Sequence, residues 1–144
     1  FYLLNAREHN NVLTRNGQSY YSCPDQFAAR LGAYILTKNR AWSFYAGGRL
    51  EGVPSTDIIG GSAGYRRPGY VISAEPGVSF TKNQYSFNLS VPISIIRNRT
   101  QSYEDKQRTA ATGVFTQGDA AFADYLVNFN FYYRFMPFKK KAMP

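Results

Sequence analysis

LVNFNFYYRF, residues 126–135, alternates along its whole length. Val127, Phe129, Phe131, Tyr133 and Phe135 fall on one side of an extended chain. Asn128, Asn130, Tyr132 and Arg134 fall on the other. Side chains that repeat every second residue mark a β-strand with two unlike faces.

The same pattern recurs upstream. In 25–36, Phe27, Ala29, Leu31, Ala33 and Ile35 oppose Ala28, Arg30, Gly32 and Tyr34. In 42–52, Trp42, Phe44, Ala46, Gly48 and Leu50 oppose Ser43, Tyr45, Gly47, Arg49 and Glu51. In 69–80, Tyr70, Ile72, Ala74, Pro76, Val78 and Phe80 oppose Val71, Ser73, Glu75, Gly77 and Ser79. In 85–96, Tyr85, Phe87, Leu89, Val91, Ile93 and Ile95 oppose Ser86, Asn88, Ser90, Pro92 and Ser94. Residues 1–8 make a further segment too short to phase. Aromatics are 17% of the chain, and Tyr and Phe favour strands. An all-β, antiparallel, up-and-down sheet of about six strands follows. The stretch 109–124 contains helix formers, but its Gly and Thr read as a loop.

The connections alternate in length. TKNR (37–40) and TKNQ (81–84) are tight polar hairpin turns. Residues 9–24, 53–68 and 97–121 are long. In a meander, successive connections lie at opposite ends of the sheet. All short turns therefore share one end and all long loops the other, the arrangement of transmembrane barrels. Segments of this length suit strands that cross a bilayer at a tilt. In that reading the apolar face meets lipid: Phe27, Leu31, Phe44, Leu50, Ile72, Val78, Phe87, Leu89, Val91, Ile93, Val127, Phe129, Phe131, Tyr133 and Phe135. Trp42, Phe44, Tyr70, Phe80, Tyr85 and Phe135 sit near segment ends, as interfacial girdles do.

The closing strand NFYYRF (130–135) resembles the C-terminal strand of bacterial outer-membrane β-barrels. GYRRPGYVISAEPG (64–77) and GDAAFADYLVNFNFYYRF (118–135) are similar to stretches of Bacteroidota-type barrel proteins. The resemblance implies residence in the bacterial outer membrane and a pore, transport or anchoring role. It also implies contact with outer-membrane lipids, lipopolysaccharide and other outer-membrane proteins. It makes the aromatic end a mark for the assembly machinery. Here MPFKKKAMP (136–144) follows that end and reads as a short basic periplasmic tail. Residues 1–135 read as the C-terminal strands of a larger barrel, because the smallest closed membrane barrels have about eight strands. FYLLNARE opens without Met and as if mid-strand, so the sequence reads as a piece of a longer chain.

The polar face carries Arg30, Arg49, Glu51, Glu75 and Arg134 as a lumen-facing charged cluster. Such a cluster acts either as a charged constriction or as a salt-bridged plug. Paired carboxylates can serve acid–base chemistry, but the Arg neighbours of Glu51 and Glu75 argue against a general acid. His9 is the only His and Cys23 the only Cys, so no catalytic set, metal site or cofactor is expected, and no enzyme. Cys23 is a free thiol or pairs outside this sequence. GGSAGYRRPG (60–69) lacks the Lys-Ser/Thr of a phosphate loop. A net charge of +8 permits nucleic-acid binding, yet the charges are spread over both ends, so no nucleic-acid partner is expected. At the rim, Arg15, Arg66, Arg67, Arg97, Arg99, Lys106 and Arg108 are candidates for lipopolysaccharide phosphates or plain solvated charges. The rival architecture is a soluble β-barrel or sandwich binding a small apolar ligand, with the apolar face turned inward.

Overall fold

The computed structural model describes residues 1–5, 12–13, 20–21, 23–60, 64, 66–118 and 122–135. Strands β1 (Tyr2–Leu4), β2 (Val12–Leu13), β3 (Tyr20–Tyr21), β4 (Gln26–Leu36) and β5 (Trp42–Val53) come first. Then follow β6 (Gly69–Lys82), β7 (Tyr85–Ser90), β8 (Ile93–Arg99), helix α1 (Tyr103–Thr112) and β9 (Asn128–Tyr133). One antiparallel sheet runs β1-β4-β5-β6-β7-β9, with β8 beside β6. It curls into a half-barrel. β2 and β3 form a separate ribbon. His9 and the basic tail 136–144 lie outside the described residues.

The register keeps the two faces apart across the whole sheet. Phe44 stands opposite Ile35 and Val78, and Phe87 opposite Phe80 and Phe131. Ser79 stands opposite Ser43 and Asn88. A one-residue slip anywhere would have mixed the faces.

The burial of the faces is the reverse of a water-soluble sandwich. Along β5 the apolar side chains are the more exposed ones and the polar side chains the more covered. Leu31 is 85% exposed and Phe129 64%. Among the described residues the buried hydrophobics are Ala28 and Val71, and both lie on the polar face. Glu75, Ser73, Asp25, Asp57 and Arg66 are buried polar groups. The polar face is therefore the concave, inner one.

The outer face is banded. At the turn end, Trp42 packs on Phe80 with ring centroids 4.7 Å apart, and Tyr85 packs on Tyr133 at 5.3 Å. Phe87 meets Phe131 at 5.1 Å, and Tyr133 meets Phe135 edge-on at 4.8 Å. Small and aliphatic residues follow at mid-height, where Ala33 faces Ala46 and Leu31 faces Gly48.

Both hairpin turns lie where the sequence put them. Thr37 N–H donates to Trp42 O at 2.9 Å, and Arg40 takes a left-handed φ of 55°. Asn83 takes a φ of 54° between the paired Lys82 and Tyr85. At the other end the long connections bind one another, as when Lys106 Nζ donates to Ser55 Oγ at 3.3 Å.

Two expectations need correction. The segment 85–96 is not one strand: it breaks at Val91-Pro92 into β7 and β8. Val91 N–H donates to Pro76 O and Leu126 N–H to Pro92 O, each at 3.0 Å. A proline has no N–H to return either bond, so the ladder is one-sided on both flanks of this point. The β6–β8 register shifts between Ile72 and Ser73, where Ile96 and Ser94 are the partners and Ile95 is the extra residue, a bulge. The connection 97–121 is not all loop, because it holds α1. Ser102 caps that helix: its hydroxyl accepts from Asp105 N, and Asp105 accepts from Ser102 N. This reciprocal box starts the helix, and Gly113 at φ 71° ends it.

Candidate functional site

The concave face is built from cross-strand rows. Register sets Arg30 opposite Arg49, and Gly47 opposite both Gly32 and Glu75. Two like charges facing each other repel. Each arginine instead turns to a carboxylate. Arg30 crosses the side-chain-free Gly47 and grips Glu75 with two bonds, Nε to Oε2 at 2.8 Å and Nη2 to Oε1 at 2.7 Å. Ser90 Oγ adds a third bond to Glu75 Oε1 at 2.8 Å. Arg49 grips Glu51 on its own strand, at 2.8 Å from Nε and 2.5 Å from Nη2.

Glycine makes the crossing possible. A Cβ on Gly47 would run into the Tyr45 hydroxyl and stand 2.5 Å from Leu31 O. The Tyr45 ring therefore lies against this bare backbone, close to Gly32 as well. The Arg30 guanidinium carbon sits 5.5 Å from the ring centroid, a cation–π contact.

Below this charged row a polar hollow of about 560 Å³ opens, lined by Arg30, Arg49, Tyr34, Tyr45, Asn88 and Asn130 among others. Above it a smaller recess of about 310 Å³ is lined by Val53, Val71, Pro92, Phe122 and Leu126.

A second cluster clasps the loop end. Asn5 Nδ2 donates to Asp25 Oδ1 at 2.7 Å, and Ile59 N–H donates to Asp25 Oδ2 at 3.0 Å. Asp25 N–H donates to Asp57 Oδ1 at 2.9 Å, and Arg66 Nη1 forms an ion pair with the same oxygen. Burial pushes the Asp25 carboxyl up. The bonds from Ile59, Asn5 and Ile58, with the Arg66 charge, outweigh that and hold it below its ordinary value. Asp105 shows the same balance: burial raises it, and the bonds from Ser102 and Gly118 with the Arg108 charge lower it.

Of the predicted lumen charges, four come together: Arg30, Arg49, Glu51 and Glu75. Arg134 does not join them. It lies exposed at the turn end, where its backbone N–H donates to Gln84 O at 2.8 Å. Arg66, expected at the rim, is buried in the clasp. Arg97 pairs with Asp124. The clasp itself escaped sequence reasoning, because its members are separated by long loops. In the sequence Ser90 falls on the wet face, and nothing local marks it as a partner of Glu75.

Among the described residues no helix is long and apolar enough to cross a membrane, which does not bear on crossing by strands. The geometry defines the class: a mostly antiparallel β half-barrel, apolar outside and ion-paired within. Comparison with family models, with curated proteins and with solved structures finds no match.

Proposed function

We propose that this chain supplies strands of a bacterial outer-membrane β-barrel with a pore or anchoring role. One observation carries the reading: the large apolar side chains coat the outside of the curl while Arg49, Glu51 and Glu75 are covered within. In water such an exterior would drive aggregation. In lipid it is the favourable surface, and the polar interior keeps its hydrogen bonds away from hydrocarbon. The aromatic band at the turn end suits the headgroup level, with the TKNR and TKNQ turns in the periplasm and the long connections outside.

The open edges bear on assembly. Among the described residues, β1 covers only Gln26–Ala28 of β4, and β9 has a neighbour on one side alone. Unpaired strand edges are not tolerated in lipid. The proposed barrel therefore closes with further strands, from more of the same polypeptide or from a second chain.

Semi-native gel migration tests the reading. A barrel needs detergent to stay dispersed and migrates differently before and after boiling. A chain that stays monomeric in detergent-free buffer and runs the same with and without heating is not such a barrel.

A further inference from the structure

We propose that the hollow on the concave face takes a neutral, polyhydroxylated solute, such as an oligosaccharide or polyol, an inference that rests on the lumen reading above. Ser43, Ser79, Asn88 and Asn130 stand in one cross-strand row along its floor. Among the described residues, none of these four side chains has a protein hydrogen-bond partner. Hydroxyls and carboxamides both donate and accept. A row of such groups matches a ligand whose own hydroxyls do both. A carboxylate would use only the donors, and an ammonium only the acceptors.

The flanks add apolar surface of the right shape. Tyr34 on β4 is 69% exposed and Tyr132 on β9 is 58% exposed, and both line the hollow. Neither ring is stacked on another among the described residues, so each leaves a face free. Sugar rings present C–H faces between their hydroxyls, and an aromatic ring with a polar tip suits that mixture.

The charges favour a neutral ligand over an ionic one. Arg30 and Arg49 line the hollow, but Glu75 and Glu51 already hold them. The two pairs cancel, which leaves no net charge in this row to draw an anion. The volume, about 560 Å³, falls within the range of about 300–1,000 Å³ of small-molecule sites.

Equilibrium dialysis against maltohexaose, with hexagalacturonate as the charged counterpart, tests this. The full chain is held in a detergent without a sugar headgroup, and gel migration checks its fold in parallel. Saturable maltohexaose binding is expected, weakened about tenfold by the double substitution Asn88→Leu, Asn130→Leu. Tyr132→Ala should weaken it as well. Hexagalacturonate should bind less well than the neutral sugar. The inference is overturned if the heat-modifiable protein retains no maltohexaose, if the double substitution leaves binding unchanged, or if the charged sugar binds tighter. A folded barrel that ignores sugar removes this inference alone. Sugar binding by a protein without heat-modifiable migration removes the barrel reading alone.

Discussion

Replacing Arg30 by alanine probes the element that organises the interior. Glu75 is 1% exposed and takes two of its three side-chain bonds from Arg30. Among the described residues, the substitution leaves a covered carboxylate with Ser90 as its remaining side-chain partner. Breaking a buried ion pair from one side costs about 3–5 kcal/mol. The Arg30 side chain is 51% exposed, so water replaces part of what is lost. The low end, about 3 kcal/mol, is the expectation. Removing both charges together is different in kind, because no lone carboxylate remains. Arg30→Met with Glu75→Leu should recover most of the loss. Guanidinium unfolding of the detergent-folded protein, followed by the fluorescence of Trp42, the single tryptophan, reads both effects. If Arg30→Ala leaves the midpoint unmoved, Glu75 is hydrated. If the double variant is no better than the single one, the loss came from packing. Either result refutes the reasoning.

Three further outcomes are expected. Leu31→Arg, at mid-height on the outer face, should destabilise the chain by about 2–4 kcal/mol in vesicles; no change there would mean that this face does not meet lipid. Gly47→Ala should lower the midpoint of thermal unfolding, at roughly 1–3 kcal/mol, because the new methyl displaces Tyr45 and crowds Leu31 O. Stability should be full above about pH 5 and fall as acid protonates Asp25 and Asp105, since both carboxyls are held low when folded and the unfolded chain then binds more protons. A melting temperature flat from pH 5 to pH 3 would contradict this, and Asp25→Asn should flatten that slope.

How far the fold was legible follows from how local each signal is. The strand faces and both tight turns depend on residues adjacent in sequence, and all reappear in the register. The helix α1 had a local signal too, Ser102 followed three residues later by Asp105. Gly and Thr in the following stretch make the whole region read as loop by composition, and a short capping signal does not override that. The break at Val91-Pro92 had a local signal in Pro92, which lacks the N–H a strand ladder needs, but its exact form also required the neighbouring strand. There Pro76 faces Val91 and also lacks a donor to return the bond.

By itself the sequence determined that this chain alternates, where it turns, and which side chains share a face. A two-residue period and turn chemistry act within a few bonds, so no partner is needed to establish them. Only the tertiary structure decided which face curls inward, that Arg30 chooses Glu75 across Gly47, and that Arg66 is drawn into a clasp with Asp57. Those outcomes rest on groups brought together from 9 to 45 residues apart, and strand register sets such distances where local chemistry cannot.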